Sequence, residues 1–450
     1  MNPSRVTRSL GWFFASESSR FISWIFAIAL GIRLVMVFVI GDAQHPKMYE
    51  HGEIAHNLAI GNGFTMHWPY EPLDSSRIAV LSVPIDHEGA FIPPLNPYII
   101  YSVYLLFGER PTAVMILMIL QAIIGALAIP LLYKTSRLLS TDATSRVVAL
   151  IGACYIPAAI AVTTFSGSVV YQLIALAVLY FSFRAIRFGS FGILISLGLW
   201  SGLLTTIRSE FMLLGIMLVV VVVFVSSAAW VRSHRIAALA SVLIPMMAVM
   251  MPWTIRNYRL FDRIVPTVSH PWFEIWRGNN IVVSNASFLQ PTYDWVNPRE
   301  FPDLVRHMDS IPYDRHFEPA VNDMFMAEAK HFIFSSPAAF VRLGLKKLLF
   351  FFTVDLSDRG ARSPLYIILT IPVTGMIVFG LWQMLRDRSR RSEALIPTII
   401  GLYYAALTVM TYTLPRYQIF LVLLLLPCAS VAIERMKWFR SAERVAGGVS

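Results

Sequence analysis

Charge is scarce in this chain. Only 14% of its 450 residues are Asp, Glu, Lys or Arg, where a soluble domain carries about 25%. That shortfall excludes an ordinary water-soluble globule, because 56% hydrophobic residues need more than a small core to cover them. Cysteine is nearly absent. Cys154 and Cys428 both lie in apolar runs, which excludes a disulfide framework and a thiolate metal site. Internal repeats and low-complexity stretches are missing too, and with them the usual sign of a repeat-built transporter. Acidic charge is the scarcer sign, 27 Asp and Glu against 37 Lys and Arg, for a formal net charge of +10. Nucleic acid is not expected as a partner, because the placement of the basic residues has a simpler account.

What the chain has in quantity is long apolar runs, with a mean hydropathy of +0.62. Runs of roughly 20 residues have the length that crosses the hydrocarbon layer. In lipid their backbone groups must pair within the segment, so they are helices. A transmembrane barrel would instead show short alternating segments. The pattern predicts spans near 21–41, 114–133, 144–164, 168–184, 190–207, 211–230, 236–253, 364–384, 394–413 and 418–434. Arg5, Arg8 and Arg20 precede the first run, which is long and has no small-residue cleavage site after it. It reads as a spanning helix and not as a cleaved signal. The expected fold is an all-α polytopic membrane protein of about ten or more transmembrane helices, with interfacial helices and a mixed loop region on the non-cytoplasmic side.

Orientation follows from the loops. Lys134 and Arg137, Arg184 and Arg187, Arg232 and Arg235, Arg386 to Arg391, and Arg435 to Arg444 make every second connection basic. A cytoplasmic face collects such residues, so both termini are expected there. The chain then divides into a cytoplasmic N-terminus (1–20), a transmembrane module (21–253) that includes a first outer loop (42–110), a second outer loop (254–363), C-terminal transmembrane helices (364–434) and a cytoplasmic tail (435–450). Both outer loops mix charged, aromatic and Pro residues and read as folded. Pro93–Gly108 and Ala338–Thr353 are apolar with basic or aromatic edges and are expected to lie at the interface.

The chemistry-bearing residues gather in these loops. Met48 to Ala59 reads as an amphipathic helix ending at Gly61-Asn62-Gly63. Glu50, Glu53 and Asn57 share one face by their spacing. Carboxylates at a membrane mouth are candidates for general base work, against the plainer account of a solvated helix face. Asp86-His87-Glu88 is a candidate metal cluster or a polar turn, and its spacing matches no standard metal motif. Arg208 and Glu210 interrupt two apolar spans, as a functional charge pair or an exposed hairpin tip. Arg256, Arg277 and Arg416 are outer-side arginines against the inside bias. Guanidinium pairs with phosphate through two parallel hydrogen bonds, whether the phosphate is a substrate's or a lipid headgroup's.

Four stretches resemble a known family. They are Tyr49-Glu50-His51-Gly52-Glu53-Ile54-Ala55-His56-Asn57-Leu58 with Gly61-Asn62-Gly63-Phe64; Pro93-Pro94-Leu95-Asn96-Pro97-Tyr98 with Leu106-Phe107-Gly108; Pro252-Trp253-Thr254-Ile255-Arg256-Asn257-Tyr258 with Gly278-Asn279-Asn280; and Pro415-Arg416-Tyr417. In order and placement the chain resembles the bacterial membrane glycosyltransferases related to protein O-mannosyltransferases and the lipid A aminoarabinose transferase, in the glycosyltransferase-C superfamily. The resemblance implies transfer of one sugar from a polyprenyl-phosphate carrier to a glycolipid, polysaccharide or protein acceptor, outside the cytoplasm at a bacterial inner membrane. It implies an acid in the first loop as base, and arginines on the carrier phosphate, carried here to Arg256, Arg416 and Arg208. Tyr49, Asn57, Asn279, Asn280 and Tyr417 become substrate-binding candidates. Relatives often place Asp or Asp-Glu ahead of the first-loop helix, where this chain reads Pro46-Lys47-Met48-Tyr49-Glu50. The acid role therefore passes to Glu50, with Glu53 and Asp42 as rivals. No metal or other cofactor is expected.

Two other classes stand beside this one. A transporter or flippase of a lipid-linked substrate needs polar residues along a mid-membrane path, and the spans offer mainly Arg33, Gln121 and Gln172. A non-catalytic assembly factor of envelope glycan synthesis is the other, suggested by the missing aspartate.

Overall fold

A computed structural model describes residues 18–66, 88–285, 299–312, 314–353 and 362–436. In chain order its helices are α1 (Ser18–Ile40), α2 (Tyr49–Ile60), α3 (Leu95–Phe107), α4 (Pro111–Arg137), α5 (Asp142–Ala153), α6 (Ile156–Ile160) and α7 (Ser168–Arg187). Then come α8 (Phe191–Thr205), α9 (Phe211–Val225), α10 (Ala229–Ser233), α11 (Arg235–Phe261), α12 (Pro271–Gly278), α13 (Ile281–Asn285) and α14 (Pro302–Ser310). The rest are α15 (Phe317–Ser335), α16 (Pro337–Phe352), α17 (Pro364–Arg386), α18 (Arg391–Met410), α19 (Pro415–Leu425) and α20 (Pro427–Arg435).

The protein is a multi-pass, helical membrane protein. Six helices are long and apolar enough to cross a bilayer, and two pairs bent by 50° and 57° bring the number to eight. The bends follow from sequence. Cys154-Tyr155 and Pro157 break the α5–α6 pair, and Pro427 breaks α19 from α20 by removing an amide from the helix ladder. Shorter apolar helices α3, α8 and α9 complete the set. A helix covers each of the ten predicted runs. The mixed loop region is corrected. Among the described residues the loops are helical, and the β pairing is a single bridge between Lys47 and Thr164.

The main core fills the space between α4, α5, α7, α8, α9, α18 and α19, with Tyr133, Phe183, Phe211 and Phe420 buried in it. Lipid-side residues such as Phe38, Val39, Ile236 and Ile368 stay exposed, as an apolar solvent permits. α8 and α11 run parallel and touch backbone to backbone at Gly198 and Gly202. A Cβ there would come within 2.2 Å of Val242 O and 2.7 Å of Met246 O, the close approach that small residues four apart allow in a membrane.

At the end of the bundle with the basic connections, several arginines tie helices together. Arg187 Nε meets Glu393 at 2.9 Å and Arg390 Nη1 meets Glu434 at 3.1 Å. At the other end the two loops pack on each other. Phe91 of the first loop stands 6.5 Å from Phe273 of the second, and within the second loop Phe273 and Trp276 of α12 pack against Phe325 of α15, with ring centroids 5.0 and 4.9 Å apart. Glu318 clamps the loops: its Oε2 accepts from Ala90 N–H (2.8 Å) and Ser269 Oγ–H (2.6 Å). Burial pushes its carboxyl pKa up, while the Ala90 and Ser269 donors pull it down.

Candidate active site

The site is built where α8 turns into α9. Between Thr205 and Phe211 the chain reverses in five residues, and the turn is pinned from two sides. Leu95 N–H donates to Thr206 O (2.9 Å) and Tyr403 Oη–H donates to Glu210 O (2.5 Å). Arg208 and Glu210 fold onto each other, with Nη2 and Nε at 2.6 and 2.8 Å from one Glu210 oxygen. Their side chains are only 18% and 15% exposed, so the exposed-tip account is excluded. The guanidinium of Arg208 sits against two rings, 5.4 Å from Tyr171 on α7 and 5.1 Å from Tyr417 on α19, a cation–π arrangement.

A second basic group reaches the same place from the turn between α18 and α19. Pro415 opens α19 at its first turn, where a missing amide costs nothing. Arg416 follows, lies over Tyr417 at 5.5 Å, and keeps its buried Nε without a hydrogen-bond partner. Gln418 fixes the segment: its Oε1 accepts from Tyr366 Oη–H (2.6 Å) and its Nε2 donates to Thr353 O (2.7 Å). α12 supplies the third group. Arg277 lies over Tyr412 at 5.0 Å, and Glu274 stands 3.7 Å from Arg277 Nη1 and 3.9 Å from His270 Nε2.

Two histidines line the cluster as neutral rings. His51, on the inner face of α2, has its pKa lowered to about 3 by burial and then by Arg208 and Arg416. His270 is stacked on Phe91 at 3.7 Å. Burial lowers its pKa to about 4, against the opposing pull of Glu274.

Of the predicted residues, Arg208, Arg416 and Tyr417 are brought together. Arg256 is held elsewhere: Nη2 meets Glu88 Oε2 (2.9 Å), Nη1 donates to Gly89 O (2.6 Å), and the guanidinium lies 4.6 Å from the Trp253 ring. Glu50 is exposed on α2, Glu53 is half-buried, and Tyr49 is exposed with φ at +52°. Asp42 is an exposed turn acceptor for Gln44 and His45 N–H, and these bonds hold its carboxyl below the usual range. Asn57 corrects the shared-face expectation. Residues 61–65 fold back over that end of α2, so Asn57 is buried and donates to Thr65 O (2.9 Å) while Glu50 on the same face stays open. Asn279 and Asn280 are also interior. Asn279 Nδ2 donates to Ile275 O and Met410 O, and its Oδ1 accepts from Lys347 Nζ (2.8 Å). Asn280 Oδ1 accepts from Val283 N–H (3.0 Å). Asp86 and His87 of the candidate metal cluster lie outside the described residues, and Glu88 pairs with Arg256.

Sequence reasoning missed His51, Tyr171, Glu274 and Tyr412. For His51 a signal existed, since it falls in helical register with Ile54, Ala55 and Leu58, the buried stripe. Glu274 and Arg277 form a three-apart pair in an aromatic-rich stretch. The two tyrosines carry no local mark.

The comparisons with known proteins meet this geometry. Residues 92–255 match the family described as dolichyl-phosphate-mannose-protein mannosyltransferase. The match to this mannosyltransferase family takes in α3 to most of α11 and includes Arg208. Glu50, Arg256 and Arg416 lie outside it. No curated protein matches the chain. An Archaeoglobus fulgidus oligosaccharyltransferase, solved with Zn and sulfate, is similar in structure at a TM-score of 0.52 and 11% identity, covering 94% of this chain and 51% of its own. The oligosaccharyltransferase AglB of that organism, with an inhibitory peptide and a dolichol-phosphate, gives 0.50 and 11%, covering 94% and 52%. ArnT from Cupriavidus metallidurans bound to undecaprenyl phosphate gives 0.49 and 15%, covering 95% and 63%. The chain thus spans about half to two thirds of the length of these proteins. It shares the glycosyltransferase-C fold with the oligosaccharyltransferases, as the mannosyltransferase-type motifs imply.

Proposed function

We propose that the protein is a membrane glycosyltransferase. It moves a single sugar from a polyprenyl-phosphate carrier to an envelope acceptor on the non-cytoplasmic face, across ten spans when α8 and α9 are counted. The observation that carries this reading is the convergence of Arg208, Arg277 and Arg416, from three separate parts of the chain, on Tyr171, Tyr412 and Tyr417. The family match over residues 92–255 supports a lipid-phosphate sugar as donor.

The acceptor hydroxyl attacks the anomeric carbon as its bond to the phosphate oxygen breaks. The electron pair leaves on the phosphate, and one attack inverts the configuration. Arg208 and Arg416 stabilise the charge that grows on the departing phosphate, in a site where water cannot screen it. Two carboxylates compete to take the hydroxyl proton: Glu50 on α2, and Glu274, whose buried Oε2 accepts no hydrogen bond. Glu53 and Asp42 follow them. An apolar groove lined by Phe352, Thr353, Ile371, Val378 and Trp382 begins at the carbonyl that Gln418 holds, two residues past Arg416. It suits an isoprenoid tail.

The test is deletion of the protein followed by mass spectrometry of lipid-linked and surface glycans. The expected result is accumulated polyprenyl-phosphate sugar together with an acceptor one sugar short. An unchanged glycan profile sinks the reading. Glu50→Gln and Glu274→Gln, assayed for sugar transfer in membranes, then decide the base: the variant with wild-type turnover is not it.

A further inference from the structure

Helix α18 ends at Met410, and the last carbonyls of a helix have no amide within it to bond. Here they are capped from outside. Lys347 of α16 reaches across, and its Nζ donates to Val409 O (3.1 Å), Thr411 O (2.6 Å) and Asn279 Oδ1 (2.8 Å). Asn279, just past α12, donates from Nδ2 to Met410 O (2.6 Å). Consecutive carbonyls at one helix end are thus bonded by side chains from two other parts of the chain. The approach is close on both sides. A Cβ on Gly344, one turn before Lys347, would stand 3.1 Å from Val409 Cγ1, and one on Gly278 would stand 1.9 Å from Thr411 O.

Lys347 is 0% exposed, and among the described residues no carboxylate pairs with it. Burial lowers its pKa to about 7. As an ammonium it donates three hydrogen bonds and meets the negative end of the α18 dipole; as an amine it still donates two. A methionine would fill this space without the cost of burying a polar group. What the amine adds is a fixed place for the chain that follows. The turn it holds carries Tyr412 and then Arg416. At the far side of that turn Thr353 O, just past α16, accepts from Gln418 Nε2 at 2.7 Å, so α16 grips the turn at both ends. Arg277, two residues before Asn279, lies over Tyr412 at 5.0 Å. Both Arg277 and Arg416 therefore leave from segments tied to Lys347.

We infer that Lys347 is a positioning residue: with Asn279 it fixes the α18–α19 turn and the end of α12, and so the places from which Arg416 and Arg277 reach the cluster. Its bearing on sugar transfer rests on the reading proposed above; the geometry of the tie does not.

The test uses the full chain in nanodiscs. Leu414→Cys, in a Cys154→Ser background, takes a trifluoromethyl label whose fluorine resonance reports the turn, and Cys428 is buried. The label is read in the otherwise wild-type chain and with Lys347→Met, Asn279→Leu and Arg187→Met. Arg187→Met breaks the ion pair with Glu393 at the other end of α18 and controls for a general loss of stability. Unlabelled proteins are assayed for transfer, below their unfolding midpoints, with the lipid-linked sugar extracted from deletion cells. Lys347→Met and Asn279→Leu are expected to shift or split the resonance. They should lower kcat by about tenfold or more, since a misplacement on the order of 1 Å costs up to about a hundredfold, with the donor KM changed less than kcat. Arg187→Met should do neither. If Lys347→Met does not fold, Asn279→Leu decides alone, because it leaves α16 whole. A resonance unmoved in both variants overturns the tie. A moved resonance with wild-type kcat overturns the role in transfer, and so does a fall in kcat that Arg187→Met matches. A moved resonance in a chain whose wild type transfers no sugar supports the tie and removes the enzyme.

Discussion

Replacing Arg208 by Gln tests whether the turn after α8 is held by its charge pair. The side chains of Arg208 and Glu210 are 18% and 15% exposed, with two nitrogens at 2.6 and 2.8 Å from one oxygen. Breaking a fully buried pair by removing one partner costs about 3–5 kcal/mol. The residual exposure brings that to about 2–4 kcal/mol for Arg208→Gln. The Tyr171 and Tyr417 contacts at 5.4 and 5.1 Å add about 0.5–2 kcal/mol each. The double variant Arg208→Gln, Glu210→Gln loses the ring contacts but leaves no orphaned carboxylate. It should therefore be more stable than Arg208→Gln by about 1–3 kcal/mol. Equilibrium unfolding in detergent micelles measures the difference. Both variants should lose donor binding at least tenfold, because stability is restored by the double change and the cation is not. A double variant no more stable than the single one refutes the pairing. So does an Arg208→Gln protein within 0.5 kcal/mol of wild type, a margin near the usual error of additivity.

His270 is neutral in the fold, with a pKa of about 4 against about 6.5 in the unfolded chain. Between those values the unfolded state binds more protons, so stability is complete above pH 6.5 and falls with acid by up to about 1.4 kcal/mol per pH unit. His270→Phe keeps the stack on Phe91 and should flatten that acid limb; melts at pH 7 and pH 5 that shift equally in both proteins contradict it. Lys347→Met strands Asn279 Oδ1, Val409 O and Thr411 O, which Lys347 Nζ now reaches at 2.8, 3.1 and 2.6 Å. A loss of about 2 kcal/mol is expected, read as a lower midpoint of unfolding. Gly278→Ala drives a Cβ to 1.9 Å from Thr411 O and should cost about 3 kcal/mol by overpacking; a fold of wild-type stability means that α12 can move away from Thr411.

Much of the fold is legible in the chain because lipid is a strict solvent. Ten apolar runs foretell ten helical segments, and Gly61 ends α2 in the left-handed region at φ +89°, as its place after the periodic residues implies. Arg208 and Arg416 are legible as charges in apolar surroundings. Arg256 looks the same in sequence, yet Glu88, 168 residues away in the chain, claims it. Asn279 and Asn280, substrate-binding candidates in the sequence, bond backbone groups inside the fold. Tyr171 and Tyr412 come from different helices and meet the arginines only in three dimensions, so no local pattern marks them. The polar faces of short helices are ambiguous for a similar reason. The loop that covers Asn57 and leaves Glu50 open is a tertiary event.

The glycine contact between α8 and α11 joins them into a beam of two parallel rods. Arg256 lies on α11 itself and Arg208 lies three residues past the end of α8, so one arginine rides on the beam and the other on the turn at its end. Levering the rods apart at Gly198 or Gly202 would swing the beam's far end. A residue facing another helix, well away from any substrate, thereby sets how far apart two charges stand at the mouth. In this protein, changes in ligand affinity can originate at positions that no ligand approaches.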